Sequence, residues 1–239
     1  MVRLLSLLCV AALLLTGCSP SESWNQRLTL VIETPDGDVR GSVVQRIDWE
    51  GTGALGKAMF SGVDSSSASV QVTGEALAVE VMPGRWLFAL LKGGSGWQGE
   101  PGLNAGFAIA VPRGHFAKSA EGVGEIVGFP KDTPVELTPE AWPLLVTFDD
   151  ITKPETVREV DPADLAAVFG VGVRLKAVTL EITQEAVTEG RVEGILPWLE
   201  SVGRERGTLI PDPPLLSTDL TDPEIQLLGP NAFSTELYK

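Results

Sequence analysis

The chain has 239 residues, with 32 acidic and 18 basic side chains and a formal net charge of −14 at pH 7. An acidic surface of this kind repels nucleic acid, and no basic stripe with interleaved aromatic residues interrupts it, so the composition excludes nucleic-acid binding as an expected function. A hydrophobic fraction of 44% with 26 glycines and 17 prolines indicates a folded, turn-rich body rather than a disordered chain or a helical bundle.

The chain opens with the pattern of an export signal. Arg3 precedes an apolar run over residues 4–15, and Leu15-Thr16-Gly17-Cys18 follows it. The run is shorter than the roughly 20 apolar residues that a membrane-spanning helix needs. The pattern resembles the lipobox of bacterial lipoproteins. This resemblance implies that the chain is cleaved before Cys18, that Cys18 is joined to lipid, and that the protein hangs from a membrane by acyl chains.

The start of the chain therefore predicts three segments. We expect a lipoprotein signal peptide over residues 1–17, a polar tether over residues 18–23 and an exported body from residue 24. Ser19 stands where an aspartate would resemble an inner-membrane retention signal, which favours the outer membrane, facing the periplasm. The alternative is an ordinary signal peptide or an anchoring helix in which Cys18 is incidental. Cys9 and Cys18 are the only cysteines, so the body has no disulfide or cysteine metal site.

The first half of the body is predicted to be rich in β-strands. Residues 27–34 and 39–49 are β-branched and partly alternating, and the turn sequence Pro35-Asp36-Gly37-Asp38 between them indicates a hairpin. Further strands are predicted over residues 68–73, 76–82, 85–91, 107–111, 125–129 and 144–148. Short turns separate several of these strands, which favours antiparallel pairing.

The second half mixes helix and strand. Asp161 and Pro162 indicate the start of a short helix that ends at Gly170. Alternation over residues 174–183 predicts a half-buried strand. A helix is expected over residues 185–202, and Pro197 should kink or end it. Together the patterns predict a β-rich α+β fold: an antiparallel sheet or sandwich, followed by a smaller mixed segment. We expect one domain over residues 24–239, with a candidate sub-boundary near residues 140–150.

Several short motifs of the body resemble a group of uncharacterised bacterial envelope proteins with no known activity. The motifs lie at residues 24–29 (WNQRLT), 33–37 (ETPDG), 161–165 (DPADL), 169–170 (FG), 174–176 (RLK) and 196–199 (LPWL). They are not catalytic motifs. The resemblance therefore implies a single inherited unit and assigns no functional residues.

The sequence offers few residues for catalysis or metal binding. His115 is the only histidine, so a serine triad or a histidine-based zinc site would depend on it, and we expect a surface histidine instead. Asp149, Asp150, Asp161 and Asp164 form a candidate cation site, although their spacing is not that of an EF-hand. Trp97, in a glycine-rich loop over residues 92–106, is a candidate recognition residue.

These observations favour a noncatalytic binding or scaffolding role for a lipid-anchored protein, with an envelope protein as candidate partner and no cofactor. One alternative is an envelope glycan or peptidoglycan hydrolase that uses carboxylates near Asp149 and Asp150, with Trp97, Trp142 or Trp198 stacking on sugar rings. The other alternative is a carrier of a small apolar ligand held between sheet and helices.

Overall fold

Two antiparallel β-sheets form the frame of the protein. The computed structural model describes residues 19–51, 68–94, 99–205, 207–213 and 222–237. The strands are β1 (Ser21–Thr34), β2 (Gly37–Glu50), β3 (Ser69–Thr73), β4 (Leu77–Met82), β5 (Arg85–Gly93), β6 (Val135–Glu136), β7 (Pro143–Phe148), β8 (Val157–Glu159) and β9 (Arg174–Thr183). The first sheet has the order β3-β2-β1-β9-β6, and the second has the order β4-β5-β7-β8. This architecture confirms the predicted β-rich α+β fold.

The helices are short and follow or connect the strands. They are α1 (Pro101–Ala105), α2 (Ala120–Gly128), α3 (Ala166–Phe169), α4 (Arg191–Ile195), α5 (Leu199–Glu205) and α6 (Pro223–Gln226). A π-helical turn (Gly106–Ala110) and a 3-10 turn (Val111–Arg113) follow α1 directly. None of the helices in the described ranges is long and apolar enough to cross a membrane.

The structure contains the hairpin that the sequence predicts, formed by β1 and β2 with 14 residues in each strand. Its ladder runs without interruption from the pair Ser21 and Glu50 to the pair Thr34 and Gly37. Gly37 has φ of 121°, a backbone conformation that side-chain-bearing residues rarely adopt. The Thr34 hydroxyl also donates to the carbonyl oxygen of Gly37 at 2.8 Å and fixes the turn.

The two sheets pack face to face through alternate residues of their strands. On the other face of β1, away from the second sheet, polar residues including Arg27 and Thr29 are partly exposed to solvent, as expected for a half-buried antiparallel sheet. The space between the two sheets is the first core. Its buried residues include Leu28, Leu30 and Ile32 of β1, Leu77, Val79 and Val81 of β4, Leu87 and Ala89 of β5, and Val178, Leu180 and Ile182 of β9.

A second core lies on the opposite face of the second sheet. Phe88 and Leu90 of β5 and Leu144 and Val146 of β7 point to this side, where residues of α4, α5 and the last described segment cover them. Ring contacts join Phe88 to Phe148 and Phe233, and join Phe148 to Trp198 and Phe233, at centroid distances of 5.5–6.0 Å. The two central strands of the second sheet, β5 and β7, are therefore buried on both faces.

Two predicted strands are wrong. Residues 107–111 and 125–129 belong to the helical stretch from α1 to α2, which places Ile109, Val123 and Ile126 in the first core. Close backbone approach holds this stretch together, because a Cβ at Gly106 would lie 2.3 Å from the carbonyl oxygen of Ala117. Helical packing against the sheets decides the conformation of these apolar runs, which are too short for their periodicity to distinguish helix from strand.

The predicted helices of the second half are shorter than expected. In the segment over residues 161–170, the helix begins only at Ala166, and the Asp161 carboxylate instead accepts the backbone N–H of Ala163 in a turn. The expected helix over residues 185–202 is two helices, α4 and α5, and Pro197 lies between them. Proline ends the first helix as predicted, since it cannot continue the helical hydrogen bonding.

The second core yields a stability prediction with a matched control. Replacing Phe88, which is fully buried, with alanine should lower the free energy of unfolding by about 3–5 kcal/mol, because a large aromatic side chain leaves a cavity. Replacing Phe116, which is 81% exposed, with alanine should change it by less than about 0.5 kcal/mol. Urea unfolding of the two variants measures both values, and equal losses would contradict the assignment of Phe88 to the core.

Candidate functional site

Two of the residues singled out in the sequence, Cys18 and Trp97, lie outside the described residues. His115 is partly exposed, and its Nε2 lies 3.9 Å from a carboxylate oxygen of Glu125 on α2. This position agrees with the expected surface role of the only histidine.

The paired carboxylates Asp149 and Asp150 are held by different neighbours. Asp149 pairs with Arg158 at 2.8 Å. Asp150 accepts hydrogen bonds from the hydroxyl and the backbone N–H of Thr152 at 2.7 and 3.0 Å, and lies 3.1 Å from the ammonium group of Lys153. The hydrogen bond from the Thr152 hydroxyl is the largest cause that lowers the pKa of Asp150 to about 2. The backbone N–H of Thr152 and the ammonium group of Lys153 lower it further. A carboxylate with this pKa is a poor general acid near neutral pH.

The four residues of the candidate cation site do not converge in the structure. Asp161 accepts from the N–H of Ala163, and Asp164 accepts from the N–H of Ala167 near the start of α3. Across the described ranges, no group of three or more His, Cys, Asp or Glu side chains is placed to hold a metal ion. These carboxylates serve as turn caps and surface ion-pair partners instead.

The most site-like feature is a cavity of about 560 Å³ beside Trp142. Within the described ranges, three stretches distant in sequence line it: Gly94 after β5, residues 139–145 at the start of β7, and residues 159–162 at the end of β8. Its walls carry Trp142, Pro139, Pro143 and Pro162, with buried Leu144 and Leu145 beneath. We name this feature the Trp142 cavity. Its volume lies within the range of small-molecule sites, roughly 300–1,000 Å³.

Hydrogen bonds fix the walls of the Trp142 cavity. The indole N–H of Trp142 donates to the carbonyl oxygen of Leu137 at 2.9 Å, which orients the ring. The backbone N–H of Gly94 donates to the carbonyl oxygen of Trp142 at 3.2 Å, and Val160 N–H donates to Leu145 at 2.9 Å. Because the proline rings also restrict the backbone, the cavity is preorganised.

Glycine is required where the chain passes Trp142. A Cβ at Gly99 would lie 2.0 Å from the Trp142 carbonyl oxygen, and a Cβ at Gly94 would lie 3.3 Å from the same atom. The glycines of the segment over residues 92–106 thus have a packing role at this point, in addition to the flexibility expected from the sequence.

Carboxylates dominate the electrostatics of the Trp142 cavity. Glu159 and Asp161 line it. Partial desolvation is the largest cause that raises the pKa of Glu159, and the negative charges of Asp222, Glu224 and Asp161 raise it further. Lys92 pairs with Glu224 and offsets one of these charges. The mouth of the cavity therefore carries an excess of negative charge.

A polar groove of about 450 Å³ on the first sheet is a weaker candidate. Short polar residues and charged residues of β1, β2 and β3 line it, and Arg46 and Asp48 pair with each other there at 2.9 Å. Among its described lining residues the aromatic side chain is that of Trp49, which is buried and donates its indole N–H to the carbonyl oxygen of Lys118. The part of the groove that the structure describes does not have the exposed apolar walls of the Trp142 cavity.

Comparison with known proteins identifies no relative. No protein-family model matches the chain, and no match is found among curated proteins or among solved structures. The site is therefore interpreted from its own geometry.

The glycine contact at Trp142 yields a second prediction. Gly99→Ala should lower the free energy of unfolding by about 1–3 kcal/mol, since the added methyl group must displace the Trp142 backbone. Gly124→Ala, at an open position of α2, is the control and should be neutral or stabilising by up to about 1 kcal/mol. Urea midpoints compare the two variants, and an unchanged midpoint for Gly99→Ala would refute the close approach.

The third prediction concerns Asp150. The carboxyl carbon signal of Asp150 in NMR should titrate at about 2, so that its contribution to stability persists at neutral pH and is lost as the pH falls through that value. Thr152→Val should move the midpoint up toward the ordinary 3.8, because the strongest hydrogen bond is removed. Thr133→Val, at a distant threonine, should leave it unchanged. A wild-type midpoint near 3.8 would contradict the hydrogen bonding described.

Proposed function

We propose that this protein is a noncatalytic binding protein of the bacterial envelope and that it is anchored by lipid on Cys18. It binds its ligand in the Trp142 cavity. The envelope location rests on the lipobox-like pattern over residues 15–18. The binding role rests on the cavity, in which rigid apolar walls and a few carboxylates converge.

The walls favour a ligand that has a flat or compact apolar body. Indole and proline rings offer extended contact surface, and their fixed orientation reduces the entropy lost when a ligand binds. The buried Leu144 and Leu145 continue this apolar surface below the ring of Trp142.

The carboxylates favour a ligand that also carries positive charge. An ammonium or guanidinium group beside Glu159 and Asp161 would offset the negative charge that raises the pKa of Glu159. The same group would interact favourably with the indole face of Trp142. A lysine or arginine side chain of an envelope protein carries this chemistry, which links the cavity to the partner-binding role expected from the sequence.

This proposal is tested with two small probes of nearly equal size, benzylammonium and benzyl alcohol. Chemical-shift titration should place benzylammonium at residues 139–145 and 159–162, with an affinity at least several-fold above that of benzyl alcohol. Affinity for the cation should rise as the pH rises through the raised pKa of Glu159, because the ionised carboxylate binds the cation more strongly.

Two variants separate the cavity from general charge attraction. Glu159→Gln should remove most of the preference for benzylammonium, whereas Glu155→Gln, at an exposed carboxylate outside the cavity, should preserve it. If neither probe changes the chemical shifts of the cavity residues, the proposed binding site is refuted. Equal affinity for both probes would retain the cavity and refute the cationic ligand.

A further inference from the structure

A buried carboxyl group lies at the junction between the second sheet and the C-terminal helices. Glu75 stands in the short link between β3 and β4 and is 1% exposed. Its Oε2 accepts the backbone N–H of Arg191 at 2.9 Å and that of Val192 at 3.1 Å. These two residues begin α4, so the side chain of Glu75 ties this helix to the first half of the chain.

The backbone around Glu75 also holds the last described segment. Ala76 N–H donates to the carbonyl oxygen of Phe233 at 2.7 Å, and Thr235 N–H donates to that of Gly74 at 3.0 Å. Glu75 itself forms an isolated antiparallel bridge with Ser234. The link over residues 74–76 is therefore a point of attachment for the segment that covers the second core.

A second carboxyl group faces this junction from α4. Oε2 of Glu193 is buried and has no hydrogen-bond partner among the described residues. Burial is the largest cause that raises the pKa of Glu75, and the charge of Glu193 adds to it. The two backbone N–H groups lower the pKa of Glu75 without outweighing these effects.

The other groups around Glu75 do not replace Glu193 as a partner. Arg191 and Glu75 both line a cavity of about 380 Å³, but the Arg191 guanidinium donates to the carbonyl oxygen of Ser42 on β2. Gln45 of β2 contributes a neutral amide that donates to the backbone carbonyl of Glu75, and Ser234 is also neutral. A single proton shared by Glu75 and Glu193 would supply the partner that Glu193 Oε2 lacks.

We propose that Glu75 and Glu193 form a proton-dependent clasp that holds α4 and α5 against the second sheet. The clasp is closed when the two carboxyl groups share a proton and loosens when both are ionised. This inference concerns a part of the molecule separate from the Trp142 cavity and holds independently of the ligand proposed there.

The direction of the pH effect follows from the raised pKa of Glu75. A group whose pKa is higher in the folded state stabilises that state fully below its unfolded pKa, and the contribution is lost as the pH rises through the folded value. Acid should therefore close the clasp, and higher pH should open it. Opening exposes the apolar face formed by Phe88, Phe148 and Val146, which α4 and α5 help to cover.

The clasp is tested by hydrogen–deuterium exchange from about pH 4 to about pH 8, corrected for intrinsic exchange rates. The opening constant of residues 191–205 should rise with pH, by about tenfold for each unit by which the folded pKa of Glu75 exceeds the unfolded one. Residues 24–32 of β1, the central strand of the first sheet, serve as the internal reference for global stability.

Three substitutions assign the effect. Glu75→Gln keeps an oxygen for the two backbone donors and adds an amide that donates to Glu193. The opening constant of residues 191–205 should therefore become independent of pH. Glu193→Gln should make the rise of the opening constant smaller than in the wild type, because the charge of Glu193 is gone while burial still raises the pKa of Glu75. Glu189→Gln, at an exposed neighbouring carboxylate, should behave like the wild type.

Any of three results would overturn the clasp. An opening constant of residues 191–205 that does not change with pH in the wild type would refute the clasp. A pH-dependent rise that persists in Glu75→Gln would show that another group controls the segment. If Glu75→Gln does not fold, Glu193→Gln provides the test instead. A rise with pH in the opening constant of residues 191–205 of Glu193→Gln that is as large as in the wild type would refute the proposal.

Discussion

The burial of β5 and β7, the central strands of the second sheet, on both faces is the constraint on which most of the structure depends. Leu87 and Ala89 of β5 face the first core, while Phe88 and Leu90 of the same strand face the second core. Neither face can meet water without exposing large apolar area. The first sheet covers one side, and residues beyond 190 must return to cover the other. The attachments at Glu75 and the ring cluster around Phe148 both follow from this requirement.

The sequence predicts best those elements whose local pattern and tertiary environment agree. The turn at Pro35 to Gly37 and the alternation over β9 identify the first sheet, and the mostly apolar run over residues 144–148 fits a strand buried on both faces. The apolar run over residues 107–111 misleads, because it reads equally well as strand or helix. Its helical conformation depends on contacts with residues 117–126, and single-segment patterns do not contain them.

The candidate site is less accessible to sequence reasoning than the fold. Trp142 could be selected as an aromatic residue suited to ligand stacking, yet Glu159 carries no local signal that distinguishes it from other acidic residues. Its role arises because β8 lies beside β7 and brings residues 159–162 against residues 139–145. Conversely, Asp149 and Asp150 are adjacent in sequence, but they bind Arg158 and Thr152 respectively and are drawn into separate interactions.

The central position of β1 has a mechanical consequence. The strand starts at Ser21, pairs with β2 over its full length and pairs with β9 over residues 25–33. In an antiparallel ladder the hydrogen bonds lie across the strand axis. A pull applied to the N-terminal end of β1, along its axis, would therefore strain many bonds on both edges at once in shear, rather than peel them apart singly. Tension at that end would be resisted by the most extensively paired strand of the fold.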